Sequence, residues 1–133
     1  MAIDSSREVR TRVPIRWRDL DLLGHLNQAV YHELLEEGRG GLLARLEDHT
    51  FPFVLVHVEL DYRTEVRRDH GHVDVVSRVG RVGEKSVTIE ERIELPDGTV
   101  AAEGRSVLVA WDMAARTSRA LTAGERDALG AGA

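Results

Sequence analysis

Alternating apolar and polar positions run through five stretches of the chain, a pattern typical of strands with one face in the core. These stretches are 9–17, 54–62, 72–82, 86–95 and 99–112. A hairpin turn at Gly83 and Glu84 separates the third stretch from the fourth, and Pro96, Asp97 and Gly98 form the next turn. Such residues favour tight turns. We therefore predict five strands, most of them joined by short connections.

Between the first two strands, the apolar spacing becomes that of a helix. Asn27 is a suitable N-cap, and we predict one long helix from there to about Glu47. Gly38, Gly40 and Gly41 lie inside it, although a glycine costs about 1 kcal/mol relative to alanine in a helix interior. We expect them to let the helix approach the sheet closely. The alternative is that the helix breaks there.

A strand, a long helix and four further strands predict an α+β fold, with the helix on the concave face of an antiparallel sheet. The length of 133 residues fits one domain, 1–133, with a core at about 9–115. The Ala/Gly-rich tail, 120–133, shows at most a short helix, and we expect it to contribute little. One helix cannot cover five strands, so we also expect a homodimer or homotetramer.

Composition narrows the classes of function. The absence of cysteine excludes disulfides, thiolate metal ligands and a cysteine nucleophile. A net charge of −5 argues against a nucleic-acid partner. No apolar run approaches the roughly 20 residues of a membrane helix, and residues 1–7 lack a signal-like apolar region. We therefore expect a cytoplasmic protein without membrane association.

The chemically suggestive residues lie in the segment that joins the first strand to the helix. It reads Arg-Asp-Leu-Asp-Leu-Leu-Gly-His-Leu-Asn-Gln-Ala-Val-Tyr, residues 18–31. Gly24 permits a tight turn, and the first turn of the helix offers unpaired N–H groups that can stabilise negative charge. Asp21 and His25 add a carboxylate and an imidazole. Taken alone, Asp19 and Asp21 would more often be turn residues.

This segment resembles that of the hot-dog thioesterases of the 4-hydroxybenzoyl-CoA thioesterase group, which carry Asp-x-Asp-x-x-Gly-His-x-Asn-x-x-x-Tyr-like residues at this place. The resemblance extends to Glu37 and Arg39 and covers about residues 9–115. It implies a hot-dog fold, in which a five-stranded antiparallel sheet wraps one long helix. It also implies hydrolysis of a thioester of coenzyme A or of acyl carrier protein.

The resemblance also implies roles for residues of the segment. The family's catalytic carboxylate matches Asp21, and its oxyanion contact, a main-chain N–H at the start of the helix, matches Gln28. His25 and Asn27 match positions at or beside the active site. We therefore predict Asp21, His25 and Gln28 as catalytic, and Asn27 and Tyr31 as substrate-binding. The 4-hydroxybenzoyl-CoA enzymes depart from Gly-His-x-Asn, so that aromatic substrate is not implied.

The residues suit thioester chemistry. A thiol has a pKa of about 8.5, so the thiolate leaves readily without strong acid catalysis. Asp21 could attack the carbonyl to form a mixed anhydride or deprotonate a water, and the sequence leaves both routes open. His25 would orient water or the thioester, and Asn27 would serve as N-cap or substrate contact. We expect no metal and no cofactor, since coenzyme A belongs to the substrate.

Other interpretations of the same residues stay open. Glu36 and Glu37 could supply a carboxylate, but solvent exposure or ion pairing with Arg39 is the favoured interpretation. Arginines of the first strand and several later basic residues could bind phosphates of coenzyme A; the later ones are Arg63, Arg67, Arg68, Arg81 and Lys85. A hot-dog hydratase or dehydratase using Asp21 and His25, and a non-catalytic acyl-thioester binding protein, are the alternative functions.

Overall fold

A computed structural model describes residues 8–45 and 52–130. The strands are β1 (Val9–Pro14), β2 (Phe53–Tyr62), β3 (His72–Val82), β4 (Ser86–Glu94), β5 (Val100–Asp112) and β6 (Thr117–Ser118). The helices are α1 (Gln28–Leu43) and α2 (Ala123–Ala128), and short 3₁₀ helices form at Trp17–Asp19 and Arg68–His70. No helix in these described ranges is long and apolar enough to cross a membrane.

The strands form one antiparallel sheet in the order β1-β3-β4-β5-β2, and β6 pairs with the end of β5. Helix α1 packs against β1, β3 and β4. This arrangement confirms the predicted α+β fold of one long helix on a curled sheet. It places β2 at an end of the strand order, on the far side of β5 from β4.

Two of the helical glycines explain how α1 packs so close to the sheet. A Cβ on Gly38 would clash with Val75 Cγ1, and one on Gly41 would clash with Thr11 Oγ1. A Cβ on Gly40 would meet no atom within 4 Å. The prediction of close backbone approach is confirmed at Gly38 and Gly41 and is wrong at Gly40. The helix does not break at these glycines.

The first strand and the long helix are both shorter than predicted. β1 ends at Pro14 because the chain turns into a 3₁₀ helix, in which the Asp19 carboxylate accepts a hydrogen bond from the Arg16 N–H at 2.8 Å. Helix α1 ends at Leu43, and the predicted end at Glu47 lies outside the described residues.

The second strand departs from strict alternation. A bulge between Leu55 and His57 shifts its register against β5. Val54, Leu55 and Val56 are all exposed, whereas Val58 is packed against the core. An extra residue at a bulge changes which side chains share a face, so a period of two read along the whole strand assigns some of its faces wrongly.

The chain after β5 is part of the core, so the expectation that the tail contributes little is wrong. Leu121 and Ala128 are buried, and Leu129 has no exposed surface. They belong to the apolar cluster that also contains Leu42 and Ile89. They are buried because α2 folds back against the sheet. This segment is short and shows no periodicity, so its burial could not be predicted from the sequence.

A polar cluster lies inside the fold, between α1 and the sheet. Arg39 Nη1 donates to Glu91 Oε1 at 3.0 Å and lies 2.9 Å from Ser106 Oγ, which donates to Glu91 Oε2 at 2.8 Å. Burial raises the pKa of Glu91, against the opposing effect of Arg39. The expected solvent exposure of Glu36 and Glu37 is confirmed, whereas their pairing with Arg39 is wrong, because Arg39 turns inward.

Candidate functional site

A tight loop between β1 and α1 carries the predicted catalytic residues. The Asp21 N–H donates to the His25 carbonyl at 2.8 Å, and the Gly24 N–H donates to the Asp21 carbonyl at 3.1 Å. Gly24 has a φ of 78°, in the left-handed region that glycine adopts without strain. The carbonyl of buried Asp19 accepts the Asn27 N–H at 2.7 Å. The loop is thus closed by its own backbone.

The carboxylate of Asp21 takes part in this loop and also faces a cavity. Its Oδ1 accepts hydrogen bonds from the backbone N–H groups of Leu23, at 2.9 Å, and His25, at 3.1 Å. Among the residues that the structure describes, Oδ2 has no hydrogen-bond partner. The aspartate therefore combines turn formation with an available oxygen at the cavity wall.

Asn27 and Gln28 form the N-terminus of α1. The Asn27 side chain accepts a hydrogen bond from the Ala29 N–H at 3.0 Å, so Asn27 is the N-cap. Gln28 is the first helical residue and lines the cavity. Its N–H belongs to the first turn, where helical N–H groups lack intrahelical acceptors and the helix dipole favours negative charge.

A second loop, between β2 and β3, completes the cavity wall. The Leu26 N–H donates to the Val66 carbonyl at 3.0 Å, and His25 and Arg67 form an isolated antiparallel bridge. Glu65 Oε2 lies 2.7 Å from His25 Nε2. Glu65 is not among the residues predicted from the sequence, since no motif or periodicity marks an acidic residue in this connection. Only the backbone pairing of the two loops brings it to His25.

Two tyrosines form another wall of the cavity. The rings of Tyr31 and Tyr62 pack edge to face, with centroids 4.9 Å apart and an interplanar angle of 81°. Burial raises the pKa of the Tyr31 hydroxyl, and the charges of Tyr62 and Glu65 act in the same direction. Tyr31 therefore stays protonated and neutral near neutral pH.

The cavity has a volume of about 400 Å³. It is lined by Asp21, His25, Leu26, Gln28, Tyr31, Tyr62, Arg63, Thr64 and Glu65. Four of the five predicted site residues therefore meet here, and Asn27 caps the helix beside them. Their chemical roles stay predictions, because geometry alone does not test them.

The other candidate residues lie apart from this cavity or are engaged elsewhere. Glu36 and Glu37 line a different cavity, of about 580 Å³, next to β1. Arg63 pairs with Glu103 at 3.2 Å, and the guanidinium of Arg68 lies 4.5 Å from the centre of the Trp17 ring. Within residues 8–45 and 52–130, no group of three or more acidic or histidine side chains could hold a metal ion.

Comparison with known proteins places this geometry in a family. The model of the thioesterase-like superfamily matches residues 15–127. The long-chain acyl-CoA thioesterase FadM of Escherichia coli strain K12 is 29% identical over an alignment of 129 residues that covers 91% of this chain and 96% of FadM.

Solved structures show the same fold. A thioesterase from Thermus thermophilus, complexed with coenzyme A and Zn, is 31% identical with a TM-score of 0.80, covering 90% of this chain and 95% of its own. A predicted thioesterase from Bacillus stearothermophilus gives a TM-score of 0.83 at 27% identity, covering 92% of this chain and 94% of its own. The chain therefore belongs to the thioesterase-like superfamily and is a thioester hydrolase with a hot-dog fold.

Proposed function

We propose that the protein hydrolyses acyl-CoA at the cavity between the β1–α1 and β2–β3 loops, with Asp21 as the catalytic carboxylate. The supporting observation is the meeting of a carboxylate, an imidazole and a helix N-terminus at one cavity with partly apolar walls. FadM is named as an acyl-CoA thioesterase, and the Thermus relative is complexed with coenzyme A. Both support coenzyme A as the carrier, with an acyl-carrier-protein thioester as the alternative.

In the proposed reaction, the first turn of α1 stabilises the oxyanion. The thioester carbonyl oxygen accepts a hydrogen bond from the Gln28 N–H, and the helix dipole stabilises the charge that develops there. Oδ2 of Asp21 attacks the carbonyl carbon or takes a proton from the attacking water, while two backbone N–H groups hold Oδ1. In either route the C–S bond breaks and the thiolate leaves; after direct attack, a water then hydrolyses the mixed anhydride, which releases the carboxylic acid and restores Asp21.

The remaining residues orient the substrate in this proposal. His25 hydrogen-bonds water or the thioester, and Tyr31 offers a neutral hydroxyl and an aromatic face to the acyl group. Asn27 fixes the direction of the helix start through its cap and borders the substrate. Each step of the proposal uses side chains and backbone groups of this chain, and coenzyme A enters as part of the substrate.

We propose that the active form is a homodimer in the cytoplasm, with β2 facing the second copy. Val54, Leu55 and Val56 are exposed on this outer strand, and Leu22 and Leu23 are exposed beside Asp21. Contiguous apolar residues at a strand edge favour pairing with another chain. A partner covering Leu22 and Leu23 would also border the cavity, so dimerisation and activity should be linked.

The test is thiol release from short, medium, long and aromatic acyl-CoAs by wild type and Asp21→Asn. Asparagine keeps an oxygen that can accept the Leu23 and His25 N–H groups, so the loop should persist without the negative charge. We expect turnover by wild type and a loss of at least about a hundredfold in kcat for the variant.

Circular dichroism and thermal melts of both proteins provide the folding control for this test. If wild type cleaves no acyl-CoA, or folded Asp21→Asn keeps full activity, the proposed function or its central carboxylate is wrong. Hydration of crotonyl-CoA would then favour the hydratase alternative. Tight retention of acyl-CoA without turnover would favour a binding protein.

A further inference from the structure

His25 and Glu65 lie within hydrogen-bonding distance of each other at the wall of the cavity. Glu65 Oε2 lies 2.7 Å from His25 Nε2, and both side chains line the same cavity as Asp21. The other oxygen of Glu65 accepts a hydrogen bond from Arg67 Nη1 at 3.1 Å. The carboxylate is therefore shared, with one oxygen for the imidazole and one for the guanidinium.

The backbone holds this pair in place, not the side chains alone. His25 bridges to Arg67, and the Leu26 N–H donates to the Val66 carbonyl at 3.0 Å. Arg67 also binds Asp69, with Nε to Oδ1 at 2.9 Å and Nη2 to Oδ2 at 3.2 Å. The two loops are tied on either side of the His25–Glu65 contact, which limits the positions that Glu65 can take.

The exposure of this pair means that it contributes little to stability. The His25 and Glu65 side chains are 46% and 43% exposed, and solvent screens ion pairs that are exposed to this degree. A carboxylate that accepts one ring N–H of a histidine fixes the tautomer and orientation of the ring. The effect of this contact should therefore appear in the chemistry of His25.

We infer that Glu65 is a positioning residue for His25. Its carboxylate accepts the Nε2–H, so that in the neutral ring Nδ1 is the nitrogen that accepts a hydrogen bond from water or from a proton donor on the substrate. Asp21, Tyr31, Tyr62 and Arg63 also border this part of the cavity. The kinetic part of this inference rests on the proposed function, whereas the tautomer of His25 does not.

The experiment combines kinetics with nitrogen NMR of the His25 ring. The variants are Glu65→Ala, Glu65→Gln, His25→Ala and the double variant Glu65→Ala/His25→Ala. Asp69→Ala is the matched control, because it removes the other carboxylate on Arg67 without touching His25. Thermal melts establish that each variant is folded.

We expect Glu65→Ala to lose about tenfold in kcat, with KM within about twofold of wild type. Glu65→Gln should recover part of that loss, because its amide oxygen still accepts the Nε2–H. Glu65→Ala should have no further effect in the His25→Ala background, since coupled residues are non-additive. In the spectra, wild type and Glu65→Gln should show the Nε2–H tautomer and Glu65→Ala a mixture.

Several results would overturn the inference while the proposed function stands. One is an equal loss from Glu65→Ala with and without His25, and another is a loss of the same size in Asp69→Ala. A third is an Nδ1–H tautomer in wild type, or a tautomer that Glu65→Ala leaves unchanged. If wild type releases no thiol from any acyl-CoA, the proposed function and the kinetic role fail together, and the spectra still decide whether Glu65 holds the ring.

Discussion

At the scale of single residues, the buried ion pair of Arg39 and Glu91 is the contact whose disruption should most reduce the free energy of unfolding. The Glu91 side chain has no exposed surface and that of Arg39 is 9% exposed. Removing one partner of a buried pair leaves an uncompensated charge in the core. The pair on the outer side of the same sheet, Arg78 and Glu90, is about half exposed and lacks this constraint.

We predict that Arg39→Met lowers the free energy of unfolding by about 3–5 kcal/mol near neutral pH. The loss should shrink at acidic pH, because burial already raises the pKa of Glu91 and the protonated acid needs no cation. Urea unfolding at several pH values measures both effects. Arg78→Met is the control and should cost about 1 kcal/mol or less. Equal losses in the two variants would contradict the prediction.

At the scale of elements, the glycines of α1 have the same unfavourable helix propensity but different surroundings in the fold. Gly38 faces Val75 and Ser77 across the helix–sheet contact, whereas Gly40 faces open space. A glycine in a helix costs stability unless a close contact requires it. In the sequence the three glycines of α1 look equivalent. The packing shows that Gly38 and Gly41 are needed for the close approach to the sheet, whereas Gly40 is not.

We predict opposite effects from the two alanine substitutions in this helix. Gly40→Ala should raise the free energy of unfolding by about 0.5–1 kcal/mol, from helix propensity and a smaller unfolded-state entropy. Gly38→Ala should lower it by about 1–3 kcal/mol, because the new Cβ overlaps Val75 Cγ1 in a packed core. Thermal or urea unfolding of both variants compares them directly, and the same sign for both would contradict this packing.

Helix α2 depends on a charged cap. Thr122 and Glu125 form a reciprocal capping box, with the Thr122 N–H donating to Glu125 Oε1 at 2.9 Å. Arg119 donates to both oxygens of Glu125, at 2.6 and 2.8 Å. These contacts, Arg119 foremost, hold the pKa of Glu125 below its usual 4.5. Its charged form therefore stabilises the fold above pH 4.5, and that stabilisation is lost as pH falls through the lower folded-state pKa.

We predict that Glu125→Gln lowers the free energy of unfolding by about 1–2 kcal/mol near neutral pH. The difference from wild type should narrow as the pH falls from 4.5 through the lower folded-state pKa, because Glu125 is protonated first in the unfolded chain and then in the folded protein. Urea titrations at neutral and acidic pH provide the measurement. Asp127→Asn, an exposed charge on the same helix, serves as control. A difference that grows at low pH would contradict the assigned role of Arg119.

At the scale of the whole molecule, the sheet is covered unevenly. Helix α1 packs on β1, β3 and β4, while β2 lies at the far side of β5. Val56 is 56% exposed, and Leu22, in the loop beside Asp21, is fully exposed. A second copy that covered both residues would link the stability of the dimer to the geometry of the site.

We predict that wild type elutes with twice the mass of one chain and that Val56→Lys dissociates it, since a lysine on a strand edge opposes pairing. Light scattering after gel filtration measures the mass, and acyl-CoA turnover should fall in parallel. Met113→Lys replaces another exposed apolar side chain, in the turn after β5, and should leave the mass unchanged. A monomeric wild type, or a Val56→Lys variant that remains dimeric, would contradict the proposed interface.

Local sequence patterns were enough to predict the order of the main elements and the position of the site segment. Periodicity located α1 and the five long strands, because burial on one face acts on residues close in the chain. The segment 19–31 brought Asp21, His25, Gln28 and Tyr31 to one cavity for the same reason, since a tight loop and the first helical turn keep them close.

Contacts between segments distant in sequence became visible only in the folded chain. Glu65 reaches His25 because two loops pair, Arg39 reaches Glu91 across 52 positions, and Leu129 is buried because α2 folds back. The bulge in β2 likewise arises from its register against β5. Such contacts depend on which surfaces meet once the sheet curls around α1, and local spacing carries no information about them.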